Sequence, residues 1–103
     1  MYSRFTKIPT KKEYQQVLED TIAFITKLSI KESAPIYPYI VNELNDIYQV
    51  VILNKTNLDS DDVFVKYDIG AISIQYFEES DEIHQRLCDV FYGTVHYQEL
   101  SDE

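Results

Sequence analysis

At 103 residues, with 45% hydrophobic side chains and nine Tyr and five Phe among them, the chain is long enough for one core and too apolar for a disordered acidic tail. Its charge is lopsided: residues 1–42 hold six Lys/Arg against four Asp/Glu, residues 43–103 hold three against fourteen, and the whole carries −9 at pH 7. Such a field repels nucleic acid and anionic lipid and steers basic partners inward, so direct nucleic-acid binding and membrane attachment are excluded.

Cys88 is the only cysteine and makes no internal disulfide, and the opening segment to Lys12 lacks the apolar stretch of an export signal. The expected location is cytosolic. No apolar run approaches the roughly 20 residues of a spanning helix. With two Gly and three Pro there is neither repeat nor linker, so residues 1–103 read as a single domain.

Thr10 with Glu13 three residues on forms a capping box, and Tyr14, Val17, Leu18, Ile22, Ile25 and Leu28 recur at helical spacing. The first helix is predicted to reach about Leu28. Pro35 and Pro38 punctuate the chain, after which Ile40, Val41, Leu44, Ile47, Tyr48 and Val51 form one stripe of a second helix running to about Leu53. The β-branched Val50-Val51-Ile52 run weakens its end, with a strand as the minority reading. Asn54 to Asp62 reads as a polar loop.

Residues 63–77 decide the fold. Val63, Val65, Tyr67 and Ile69 alternate with Lys66 and Asp68, the phase flips across Gly70-Ala71, and Ile72, Ile74 and Tyr76 alternate with Ser73 and Gln75. A β-hairpin with a two-residue turn at Gly70-Ala71 makes Tyr67 oppose Ile74 and puts Val65, Tyr67, Ile69, Ile72, Ile74 and Tyr76 on one face. The expected fold class is therefore α+β: two N-terminal helices, a β-hairpin over about 63–77 and a C-terminal helix. The alternative is an all-α four-helix bundle. Ser80, followed by Asp81 and Glu82, starts the last helix, whose buried stripe is Ile83, Leu87, Val90, Phe91 and Thr94.

No constellation of catalytic residues emerges. His84 and Cys88 share a helix face, but two ligands are too few for zinc, and His96 lies about 18 Å further along. Acids at the start of the last helix read as a dipole-favoured turn, and Asn57–Asp62 lacks the turn glycine and later Glu of a calcium loop. No metal or cofactor is expected. Nine Tyr exceed what a small core can supply with hydroxyl partners, so some belong at an interface.

The hairpin register brings the Asp59, Asp61, Asp62 loop against the Glu78, Glu79, Asp81, Glu82 turn, gathering seven carboxylates at one edge with Phe64 and Phe77 beside them. An aromatic pair ringed by acids is the anatomy of a protein-binding hot spot. These nine residues are the candidate binding site. The expected function is a small cytosolic inhibitor of a basic protein such as a nuclease, immunity- or antitoxin-like or imitating nucleic-acid charge, with a structural or adaptor subunit as the alternative and a small enzyme third.

Overall fold

In the computed structural model, which describes residues 2–102, Thr10 and Glu13 start the first helix as the sequence indicates. The Thr10 hydroxyl accepts from the Glu13 amide at 3.0 Å, and the Glu13 carboxylate accepts from the Thr10 amide at 2.9 Å, satisfying two backbone donors reciprocally. Helix α1 spans Lys11–Lys31 and buries Tyr14, Leu18, Thr21 and Ile25 along one stripe. It runs one turn past Leu28 and stops where Glu32 turns extended.

Helix α2, Ile36–Ile47, buries Ile40, Leu44 and Ile47 and passes without a break into a π-helical stretch, Tyr48–Leu53. The Val50-Val51-Ile52 run lies in this stretch, and the Asn54 amide donates to the Gln49 carbonyl five residues back, at 2.9 Å. A wider turn gives β-branched side chains room against the turn before them. The segment thus stays helical to Leu53, and the minority strand reading is not realised.

Residues 63–77 form no hairpin. Helix α3 spans Ser60–Lys66 and helix α4 Ile69–Tyr76, with no strand among the described residues beyond a single bridge of Thr10 to Ser101. The α+β expectation is overturned, and the all-α alternative holds in class, with five helices in place of four. Two local causes account for this. First, the Asp59 carboxylate accepts from the Asp62 amide at 2.9 Å while Asp62 accepts from the Asp59 amide at 3.3 Å, a capping arrangement that starts a helix before the alternating run begins. Second, a Cβ on Gly70 would lie 3.1 Å from the Phe91 ring. Glycine there lets α4 approach its neighbour, and the phase flip marks close packing, not a turn. At helical pitch Val63, Tyr67, Ile69 and Ile72 point into the core, whereas Val65 (86% exposed), Ile74 (74%) and Tyr76 (61%) face outward.

Helix α5, Glu82–Val95, is capped by Asp81, whose carboxylate accepts from the Ile83 amide at 2.8 Å. The cap is one residue beyond the expected Ser80. Ile83, Leu87, Val90 and Thr94 are buried and Phe91 half-buried, the expected stripe. A 3-10 turn, Tyr97–Glu99, follows, after which the Lys11 amide donates to the Ser101 carbonyl at 2.8 Å and Leu100 is buried. The closing segment is thereby fastened to the start of α1.

Helix α1 packs on α2, α4 packs on α5, and α1 joins the two pairs through α5. The joint is tight. A Cβ on Gly93 would lie 2.2 Å from the Tyr14 ring, so the phenol of α1 sits in a notch that only glycine leaves open. The Thr94 hydroxyl gives its hydrogen to the Val90 carbonyl at 2.7 Å, so in the 2.6 Å contact the Tyr14 hydroxyl donates to Thr94 Oγ1. Burial pushes the Tyr14 phenol well above its ordinary pKa.

Gly93→Ala is expected to destabilise the fold by about 2 kcal/mol, since overpacking costs about 3 kcal/mol and the gain in helix propensity returns about 1 kcal/mol. Gly70→Ala, which meets only the half-buried Phe91 ring, is expected within about 1 kcal/mol of the parent. Urea denaturation of the two variants checks the contrast.

Candidate functional site

The sequence-derived site separates into two groups. Asp59 and Asp62 are committed to the α3 cap and, with exposed Asp61, stand at the start of that helix. The groove that Asp59 and Asp62 line has Val95, His96, Gln98 and Glu99 as its other wall, which places the start of α3 at the C-terminal end of α5. Glu78, Glu79 and Asp81 are exposed in the turn before α5, where the Glu79 carbonyl accepts from Gln85 Nε2 at 3.3 Å. Glu82 opens α5 and is paired with Arg86 at 2.8 Å. Because α5 is 14 residues long, about 20 Å separates the two groups. The expected convergence of seven carboxylates is corrected: it depended on the hairpin.

The two phenylalanines part in the same way. Phe64 is 61% exposed on α3, its ring meeting Phe91 edge-on with centroids 5.2 Å apart. Phe77, just past α4, is half-buried against the core. Phe64 stands beside an apolar groove of about 360 Å³, whose walls include Ile74, Cys88, Phe91 and Val95. The groove beside Asp59 and Asp62 encloses about 390 Å³. A wider depression of about 810 Å³ lies between α2 and α4, lined by Pro35, Ile36, Tyr39, Ala71 and Tyr76.

Cys88 and His84 sit four residues apart as the sequence implies, with Sγ 3.5 Å from Nε2. The Ser73 carbonyl, which can only accept, lies 2.6 Å from His84 Nδ1, so the ring proton resides on Nδ1 and the Nε2 lone pair faces the thiol. Ser73 Oγ is 3.5 Å from the same sulfur and donates to the Gly70 carbonyl at 2.7 Å. The trio ties α4 to α5. No group of three or more His, Cys, Asp or Glu side chains suited to a metal ion occurs among the described residues. No helix among them is long and apolar enough to cross a membrane.

Asp89 escaped the sequence reading. It is 4% exposed on α5 and accepts from the Tyr2 hydroxyl at 2.5 Å, from Arg4 Nε at 2.9 Å and from the Phe5 amide at 3.2 Å. The N-terminal arm is thus held by one buried carboxylate. Beside it the Arg86 guanidinium lies 4.7 Å from the centroids of both the Tyr2 and Phe24 rings. Contacts separated by more than eighty residues leave no periodic trace in a sequence.

Phenols carry much of the acid load. Besides Tyr2 on Asp89, the hydroxyls of Tyr39, Tyr48 and Tyr67 donate to Asp68, Glu19 and Asp46 at 2.6, 3.0 and 2.7 Å. Burial followed by the carboxylate bond raises the pKa of Tyr2 and Tyr67 well above the ordinary phenol value. The bond to Glu19 raises Tyr48, and the bond to Asp68 pushes Tyr39 up to about 12. Glu43, raised chiefly by burial, accepts from the Asp68 amide at 2.9 Å.

No known family model, curated protein or solved structure matches this chain.

Asp89→Asn is expected to free the arm, because the amide nitrogen would confront a donor, Tyr2 or Arg4, where the carboxylate accepts. The cost is about 2 kcal/mol for hydrogen bonds to a charged group, and hydrogen exchange at the Phe5 amide reports it directly. A second expectation follows from the raised phenols. Tyr2, Tyr14 and Tyr67 stay protonated in the folded chain after their unfolded counterparts begin to ionise near pH 10. The folded state binds more protons there, so their contribution is complete below about pH 10 and is lost as pH rises through the folded values. Denaturation midpoints measured from pH 8 to pH 11.5 should fall above pH 10, and Tyr67→Phe should flatten the decline.

Proposed function

We propose that this protein is a small binding module for a basic protein, and that it inhibits that partner by occupying the surface the partner uses for nucleic acid. The observation that supports this best is the start of α3. There an exposed aromatic ring, Phe64, stands on the same short helix as Asp61 and Asp62. Asp59, Asp61 and Asp62 have no Lys, Arg or His partner within 4.0 Å among the described residues. Carboxylates left without internal cations raise the self-energy of the free protein, and a basic partner relieves it on binding. The ring supplies the desolvated anchor that charge alone lacks.

The two groups of acids then take different roles. Asp59, Asp61 and Asp62 flank the anchor, whereas Glu78, Glu79 and Asp81, about 20 Å away, add to the long-range field that steers encounter. Phe77 is part of the packing and carries no binding role. A nuclease or another nucleic-acid-binding protein is the partner class whose own surface matches this field.

The test is kinetic. Phe64→Ala is expected to raise the off-rate of a basic partner by a factor worth about 1–3 kcal/mol, while costing the fold only about 1 kcal/mol for the edge contact with Phe91. Reversal of Asp61 and Asp62 to Lys should mainly lower the on-rate, and the parent on-rate should fall with salt. Single-stranded DNA added as a polyanion should compete for an inhibited nuclease. Salt-independent association, or Phe64→Ala with an unchanged off-rate, would contradict the reading.

A further inference from the structure

The apolar groove beside Phe64 and the acidic groove beside Asp59 and Asp62 are neighbours. Val95 and His96, at the end of α5, form a wall of both. Laid end to end across Val95 and His96, the two grooves make a channel from Ile74, Cys88 and Phe91 to Asp59, Asp62 and Glu99. Its first part is apolar and its second is charged. The cap bonds occupy one lone pair each on Asp59 and Asp62, and a carboxylate offers about four, so both remain able to accept.

We propose that this channel seats a short basic segment of the partner protein, one bulky apolar side chain filling the groove beside Phe64 and Lys or Arg following it into the acidic part. The inference rests on the binding-module reading above and specifies its ligand. Charge complementarity selects this occupant over a second copy of the chain, since two bodies of net −9 repel and their carboxylates would face one another. The molecule also holds a segment of like chemistry on the same helix. Tyr92 borders the apolar groove on one side and, on the other, a pocket of about 300 Å³ walled by Arg4, Phe5 and Lys7 of the arm. An aromatic and basic stretch, held through Asp89, thus already lies against another side of α5.

Spacing follows from the helix. Phe91 and Val95 are one turn apart, and the 3-10 turn to Glu99 adds a similar length, so the apolar and acidic centres lie about 10 Å from one another. An extended segment covers that in about three residues at 3.3 Å each. The apolar side chain and the first cation should therefore be three or four positions apart.

The test titrates the isotopically labelled full chain with a blocked hexapeptide, Phe-Ser-Gly-Ser-Arg-Arg, and follows amide shifts. Perturbations should concentrate at Phe64, Ile74, Val95, His96 and Glu99. Replacing the peptide's Phe by Ala, or its Arg pair by Glu, should weaken binding about tenfold or more, as should Asp62→Lys. Because Asp62 also closes the α3 cap, Glu99→Lys, which gives up only the exposed 2.8 Å contact with His96 Nδ1, provides the same test with the cap intact. Perturbations centred on Glu78–Glu82 or on the depression between α2 and α4, or equal binding of the three peptides, overturn the proposal. If the peptide leaves the channel unperturbed while a basic protein still binds with a salt-dependent on-rate lowered by reversal of Asp61 and Asp62, the channel inference falls and the binding-module reading stands. Loss of both responses removes both.

Discussion

The contact between Tyr14 and the Gly93-Thr94 step is the joint on which the molecule is assembled. It seats a whole phenol in a gap where a methyl group would come within 2.2 Å of the ring, and it pairs the hydroxyl inside the core at 2.6 Å. Both partners are buried, so neither can relax toward water. Overpacking and an unpaired buried hydroxyl are each costly, and together they leave α1 and α5 one relative position. Helix α5 in turn supplies a wall of both grooves, the residue that holds the N-terminal arm and the surface on which α4 rests. Everything that bears on binding is measured from that helix.

Acid is distributed over this frame by two rules. With half as many Lys and Arg as Asp and Glu, cations cannot satisfy the carboxylates one for one. Four of the nine tyrosines act as donors in their place, through Asp89, Asp68, Glu19 and Asp46. A phenol neutralises no charge, but it satisfies a lone pair and fixes the carboxylate's position. The high Tyr content is thus explained in part by internal bonding, while Tyr39, Tyr76 and Tyr92 remain substantially exposed. What is left over is a set of acids used only as helix caps or not at all, and those at α3 stand beside the one exposed phenylalanine ring among the described residues.

The long helices were legible because their signals are local and repeated. The Thr10-Glu13 box caps the helix it indicates, and the stripes from Tyr14 to Leu28 and from Ile83 to Thr94 turn toward the core, with Val17, Ile22, Leu28 and Phe91 only half-buried. The short helices were not, since in a segment of seven or eight residues the helical and strand periods share too few positions to be told apart. The Gly70-Ala71 step looked like a turn, although the lack of a side chain there serves the Phe91 ring, 21 residues further along the chain. The capping pair Asp59-x-x-Asp62 lies inside the stretch that reads as a polar loop. Of the candidate site, Asp59, Asp61, Asp62 and Phe64 keep a common surface. Phe77 and the acids from Glu78 to Glu82 were attached to it only through the hairpin. Asp89 was invisible, because a lone acid on an apolar helix face carries no mark of the arm that covers it.

The claim on which the binding account depends is that α5 holds the two acidic groups apart. Spin labels at positions 61 and 79, introduced as Asp61→Cys and Glu79→Cys with Cys88→Ser, measure that separation directly. The helical arrangement calls for a distance centred near or above about 20 Å. Strong dipolar broadening, with the labels within about 10 Å as adjacent strands would hold them, would contradict it.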